Sequence, residues 1–171
     1  MRIAVLSDIH DNVWKLDAAL ARVRESTDAM LCCGDLCSPF IVHQIGRGYP
    51  HPVHIVFGNN DGDLFRITAN AAKYPQLRLY GEMFTGEFDG RKFAMNHYDA
   101  IARPMAVSGM YDVVCFGHNH TREITRVGKT LAINPGAIMG VAFNADGTRR
   151  EVPSTYLVYD TATGEVETVE L

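Results

Sequence analysis

Apolar residues in this chain come in short unbroken runs, and each of the main runs ends abruptly in a polar cluster. The first, Ile3-Ala4-Val5-Leu6 within residues 2–7, stops at Ser7-Asp8-Ile9-His10. Runs at 29–33, 53–57 and 113–116 stop in the same way, at Gly34-Asp35, Gly58-Asn59-Asn60-Asp61 and Gly117-His118-Asn119-His120. Continuous short apolar runs are the mark of strands buried on both faces. Asn12 stands at the head of a segment in which Val13, Leu16, Leu20 and Val23 recur at steps of three and four, which predicts a helix with an Asn N-cap. A further helical stretch is expected around residues 41–45, before a breaker cluster at 46–52. Strand, helix, strand, helix, strand implies a parallel sheet covered by helices.

The second half has a different pattern. Residues 82–88 and 91–96 flank Asp89-Gly90, a strong hairpin signal. A helix is expected near 100–108, a strand at 113–116, and a second hairpin where 122–127 and 130–134 flank Gly128-Lys129. Residues 156–159 and 166–169 flank Thr161-Ala162-Thr163-Gly164 as a last antiparallel pair. No repeat, low-complexity tract or linker interrupts the chain. Its 171 residues suit one α/β domain with mixed sheets, spanning 1–171 and burying roughly two-thirds of its unfolded surface.

Composition narrows the partners. A formal net charge of −4 supplies no basic stripe, so extended nucleic-acid binding is not expected. No apolar stretch approaches the roughly 18 residues of a membrane span, and the opening run is too short for a signal peptide. Of the four cysteines, Cys32 and Cys33 are neighbours on one strand and point to opposite faces. With Cys37 and Cys115 they read as buried structural thiols, and a reducing cytoplasm as the compartment.

The polar clusters carry the candidate chemistry. In α/β sheets ligands gather outside the carboxyl ends of the strands, where loops converge. Asp8, His10, Asp35, Asn59, His97, His118 and His120 all lie at or just past such ends. The Asp8/His10 and His118/His120 pairs have an i, i+2 spacing, which in extended chain sends both side chains to one side. Two carboxylates, one amide oxygen and four imidazoles exceed the needs of one tetrahedral zinc and suit two borderline ions such as Mn, Fe, Co, Ni or Zn. Two ions roughly 3.5–4 Å apart clamp the attacking and leaving oxygens of a phosphoryl displacement. Asp35, central in order and preceded by Gly34, is the natural bridge. Alone, Asp8 or Asp35 would be an ordinary cap or turn residue. His43, His51 and His54, in or near a Pro/Gly-rich loop, fall outside the set.

Taken in order, these residues resemble the calcineurin-like metallophosphoesterase superfamily, whose pattern runs Asp-x-His, Gly-Asp, Gly-Asn-x-Asp/Glu, a lone His, and Gly-His-x-His. The resemblance spans Asp8 to His120, and Asn134-Pro135-Gly136-Ala137 is similar to the Asn-Pro-Gly-Ser stretch of the small bacterial and archaeal phosphodiesterase branch. It implies a four-layer αββα sandwich of two mixed β-sheets flanked by helices. It also implies one ion held by Asp8, His10, Asp35 and His120, a second held by Asp35, Asn59, His97 and His118, and a hydroxide between them as nucleophile. Asn59, Asn60 and His97 are the residues expected closest to the chemistry, and Mn the expected ion, with Ni, Fe, Co or Zn as alternatives.

Three departures from the family pattern shape the expected substrate. Asn60 stands where larger family phosphatases carry a general-acid His, and Ser38 where they carry the Asp that orients it. Without a protonating imidazole, leaving groups that depart readily as anions are favoured. The expected function is therefore a dinuclear phosphodiesterase acting on a small-molecule phosphate ester. The alternatives are a metal-dependent phosphomonoesterase, or a non-catalytic protein-interaction scaffold, as in the retromer subunit that resembles this fold. A nuclease is disfavoured, since neither a DNA-holding domain nor basic clustering is seen. The third departure is Tyr98, which follows His97 in place of Gly and could narrow the pocket, stack a base or fill space. Arg66 and Arg103 are candidate phosphate binders. Exposed hairpin edges make a homodimer or larger homo-oligomer reasonable.

Overall fold

The computed structural model describes residues 1–171. Strands β1 (Arg2–Leu6), β2 (Ala29–Cys32), β3 (Val53–Ile55) and β4 (Leu77–Leu79) pair in parallel, joined by helices α1 (Val13–Val23), α2 (Ile41–Gly48) and α3 (Leu64–Ala71). A second sheet follows, from β5 (Met83–Phe88), β6 (Arg91–Asn96), β7 (Val113–Cys115), β8 (Glu123–Val127) and β9 (Thr130–Asn134), with α4 (Asp99–Val107) between β6 and β7. Its spatial order is β5-β6-β7-β9-β8, and the edge pairs β5–β6 and β8–β9 are antiparallel. The hairpin β10 (Val141–Phe143) and β11 (Arg149–Glu151) stands apart, and β12 (Thr155–Asp160) and β13 (Val166–Glu170) return to complete the first sheet as β13-β12-β1-β2-β3-β4.

The pleat of β1 explains the layering. Ala4 and Leu6 face Leu16, Leu20, Ile41 and Ile45 of the helices, whereas Ile3 and Val5 face Phe93, Val113, Cys115 and Ile133 of the second sheet. On the outer face of that sheet, Ala102 and Ala106 of α4 pack on Val114 and Ala132. The order of layers is therefore helices, sheet, sheet, helix, as the expected αββα sandwich requires. Cys32 and Cys33 divide between the two cores, confirming their opposite facing. The Asn12 side chain caps α1 by accepting from the Lys15 N–H, as its position predicted.

The register fixes where the loops emerge. Leu6 pairs with Cys32 and Cys32 with Ile55, while Met95 pairs with Cys115 and Cys115 with Ile133, so parallel strands in each sheet end level. The loops after β1, β2, β3, β6 and β7 consequently meet at one rim of the sandwich.

Several elements differ from the sequence expectation. Helix α2 continues through Gly46 to Gly48, where a breaker was expected. A Cβ on Gly46 would enter the ring of Tyr74, so this glycine marks a close approach and not a helix stop. Helix α3 and the strand after it were not expected, because α3 buries only Ile67 and Ala71. The β10–β11 hairpin escaped notice because Arg149, Arg150 and Glu151 are all exposed and show no alternation. None of the helices is long and apolar enough to cross a membrane.

Candidate metal centre

The rim is built from backbone that L-residues seldom adopt. Asp8, His10, Asp35, His118 and His120 have φ of 53°, 44°, 56°, 72° and 56°, in the left-handed region. Each such residue costs about 1–2 kcal/mol and persists only where its surroundings over-determine it. The i, i+2 pairs therefore converge through left-handed kinks, not through the extended chain expected from their spacing. Asp61 supplies much of the over-determination. Its carboxylate accepts the backbone N–H groups of Leu36 (2.7 Å), Gly58 (2.7 Å), Cys37 (3.0 Å) and Asp35 (3.1 Å), clasping two loops together. Asp11 accepts from the Ser38 N–H and hydroxyl at 2.9 and 2.6 Å. Asn134 donates to the Gly117 carbonyl at 2.9 Å and accepts the Gly136 N–H at 2.9 Å, so the Asn-Pro-Gly stretch braces the His118/His120 loop. Gly58 and Gly117 have no room for a Cβ, which would run into Asp35 in the first case and Ser7 and Asp8 in the second.

Asp8, His10, Asp35 and His120 bring one donor atom each within 4.8 Å of one another. His120 donates its Nδ1–H to the Val141 carbonyl at 2.6 Å, which in the neutral imidazole leaves Nε2 as a bare lone pair. That lone pair lies 3.2 Å from Asp8 Oδ1 and 3.2 Å from His10 Nε2. Asp8 Oδ1 is buried and makes no hydrogen bond. Electron-rich atoms this close repel one another unless a cation lies among them, so the donor set fits a divalent ion. The charges point the same way. Burial works against ionising Asp8, yet His10 and His120 outweigh it and hold the carboxyl down to about 2. Burial also works against protonating His10, but Asp35 and Asp8 outweigh it and push the imidazole up to about 9.

A second group adjoins the first through Asp35. Its Oδ2 is 3.3 Å from His10 Nε2 on one side and 3.4 Å from His97 Nε2 on the other. His97 donates Nδ1–H to the Cys33 carbonyl at 2.7 Å, which aims its Nε2 lone pair into the site. Asn59 Oδ1 lies 3.1 Å from that Nε2 and 2.9 Å from His118 Nδ1. Asn60 donates its backbone N–H to Asp35 Oδ1 at 2.8 Å and its side-chain amide to Oδ2 at 2.9 Å. Burial opposes charge on Asp35, but His10, His97 and Asn60 together drive its carboxyl well below the usual carboxylate range. Asp8, Asp35 and His97 are buried, whereas Asn59, Asn60 and His118 are exposed at the mouth.

All seven sequence-predicted metal-site residues come together. His43, His51 and His54 lie elsewhere, against Tyr74, the Arg24 carbonyl and Tyr80. Tyr98 stands edge-on to His97 and His118, with ring centroids 5.2 and 5.1 Å away. Two readings need correction. Cys37 is not a buried core thiol but half-buried in the site, with Sγ 3.4 Å from His10 Nδ1. Arg103 pairs with Glu123 at 2.6 Å and lies over Phe116, so it is not free to bind phosphate. Arg66, exposed on α3, pairs at 3.3 Å with Asp63, the helix's N-cap. Sequence reasoning also passed over Asp61 and Asp11. Asp61 was visible as the last residue of the Gly-Asn-x-Asp cluster, but nothing in sequence tells a carboxylate that binds backbone from one that binds metal.

A family model for the calcineurin-like phosphoesterase superfamily domain matches residues 1–164. A curated relative, phosphodiesterase MJ0936 of Methanocaldococcus jannaschii, is 28% identical over 143 residues, which cover 82% of this chain and 86% of the relative. Among solved structures, one described as a novel archaeal phosphodiesterase matches with a TM-score of 0.85 at 24% identity, covering 100% of both chains. Wild-type Vps29 complexed with zinc, from Entamoeba histolytica, matches with a TM-score of 0.69 at 18% identity, over 100% of this chain and 98% of that one. At these identities the two structures establish a shared fold.

Proposed function

The chain belongs to the calcineurin-like phosphoesterase superfamily, and on that footing we propose that it is a dinuclear metal-dependent phosphodiesterase acting on a small phosphate ester. The observation that carries this reading is the position of Asp35 Oδ2, between His10 and His97, where one carboxylate is shared by two donor sets. Asp8, His10, Asp35 and His120 would hold one ion, and Asp35, Asn59, His97 and His118 the other, with Mn as the expected metal. When bound, such a pair of ions lowers the pKa of water toward neutrality and neutralises charge developing on phosphoryl oxygens. The name of the Methanocaldococcus jannaschii relative supports the same class of reaction.

The protein's own groups act by positioning. Asn60 cannot serve as a general acid, because an amide has no proton to give up near neutral pH, and its N–H groups are directed to Asp35. Asn59 and His118, exposed at the mouth, would meet the phosphoryl group. His97 is held by its bond to the Cys33 carbonyl. Leaving groups that depart as stable anions fit this arrangement better than alkoxides that need protonation. A cytoplasmic location belongs to the same reading, supported by four free cysteines.

The test compares a bis-aryl phosphodiester with the matched aryl monoester across Mn, Ni, Co and Zn. The diester is expected to turn over faster, and Asp35→Asn or His118→Ala to lower its rate by more than about 100-fold, the upper end for losing even a supporting partner of a metal ligand. Unchanged rates in both variants would overturn the assignment.

A further inference from the structure

A cavity of about 200 Å³ opens beside the metal centre, and His120 belongs to both. Arg122, from the loop after β7, and Arg150, from the β10–β11 hairpin, line its sides, and none of its lining residues is acidic. The arginines engaged in ion pairs are Arg2, Arg66 and Arg103, so Arg122 and Arg150 have no carboxylate partner. Gly136 also lines it, at φ +77°. A Cβ there would come within 2.6 Å of Thr155 Oγ1 and 3.5 Å of Arg122 Cβ. The glycine thus avoids a clash with Thr155, which also lines the cavity.

Two arginines without a carboxylate partner lining one small cavity make a site for a phosphate, whose oxygens match the planar fork of arginine in bidentate geometry. At this volume the cavity is smaller than the roughly 300–1,000 Å³ of a site that takes a whole ligand. It suits one group of a molecule whose other end is held elsewhere, and the neighbouring place to be held is the metal centre.

We propose that Arg122 and Arg150 form a subsite for a second phosphate, so that the preferred substrates are small phosphodiesters carrying a further phosphate monoester. The inference rests on the phosphodiesterase reading for the fate of the first phosphate. Chemistry at that phosphate is unchanged: the water oxygen bonds to phosphorus, the bond to the leaving oxygen breaks with its electron pair on the leaving group, the water's protons pass to solvent, and the second phosphate stays intact as a handle. Net negative charge on the protein does not oppose it, because two local cations dominate at distances shorter than the roughly 8–10 Å screening length of physiological salt.

The test has a binding arm and a turnover arm, both on the Mn-loaded protein. By calorimetry, thymidine 3′,5′-bisphosphate should bind wild type at least about tenfold tighter than thymidine 5′-monophosphate, as expected for one added charge-assisted bidentate contact. The Arg122→Ala/Arg150→Ala double variant should erase that preference. Both side chains are exposed, so the variant is expected to fold, and an unchanged melting temperature checks this. In the turnover arm, thymidine 5′-(4-nitrophenyl phosphate) is compared with its 3′-phosphorylated form. The double variant should lose kcat/KM for the phosphorylated ester and leave the plain ester within about twofold, as for surface changes away from the reacting atoms. Equal wild-type affinity for the two nucleotides, or a preference that survives in the double variant, overturns the subsite while turnover of the plain ester keeps the phosphodiesterase reading. A preference abolished by the variant, with neither ester hydrolysed, upholds the anion subsite and overturns the phosphodiesterase reading instead.

Discussion

Asn60 grips Asp35 at both carboxylate oxygens, through its backbone N–H at 2.8 Å and its side-chain amide at 2.9 Å. One residue thus holds both oxygens of the carboxylate that lies between His10 and His97. Asn60→Ala removes the side-chain bond and keeps the backbone one. Losing an orienting partner of a ligand costs about 10–100-fold in metal affinity or activity. We expect the Mn concentration for half-maximal activity to rise by that factor while the rate at saturating Mn changes far less. An unchanged Mn requirement would show that the amide does not position Asp35.

Asp61 is the clasp between the Asp35 and Gly58 loops. Asp61→Ala leaves four backbone donors without their acceptor, and donors bound to a charged group contribute about 1.5–3 kcal/mol at the strong end of hydrogen bonding. We expect a net loss of about 2–4 kcal/mol, which for a chain of this size lowers Tm by roughly 4–16 °C. Asp61→Asn, which keeps one accepting oxygen, should recover part of it. A melting curve of Asp61→Ala that overlays wild type would refute the clasp.

His54 gives the fold an acid-sensitive point away from the metal site. It sits against Phe84, Phe88 and Tyr80 at the edge of the inter-sheet core, and burial, then the nearby Arg78 charge, pull its pKa below the usual 6.5. The folded state therefore binds fewer protons than the unfolded state. Its stabilising contribution is complete above about 6.5, declines as the pH drops below that value, and stops declining once the pH is under the folded pKa. In chelator-treated protein, Tm should fall more steeply from pH 7.5 to 5.5 in wild type than in His54→Gln. Parallel curves would contradict the assignment.

The contrast between these residues shows what the sequence reveals. The seven candidate ligands were legible because each follows a strand-like run, and such runs become strands whose ends align. The Asp89-Gly90 and Gly128-Lys129 turns likewise announced β5–β6 and β8–β9. Asp61, Asp11 and Asn134 were not legible as braces, because their partners are backbone groups, which carry no letter in the sequence. Arg122 and Arg150 were hidden for another reason. The polar stretch around Asp146-Gly147 lacks alternation, and only its Asp-Gly pair hinted at the β10–β11 hairpin that brings Arg150 to the site. Arg103 looked equally available in sequence, and only the fold pairs it with Glu123.

The central claim is that Asp35 joins two metal sites, and counting metal per chain tests it most directly. After equilibration with Mn and removal of free ion, elemental analysis should find two ions per wild-type chain. It should find one in His118→Ala, which leaves Asp8, His10, Asp35 and His120 intact. One ion or fewer in wild type under saturating conditions, or two in both proteins, would contradict the account.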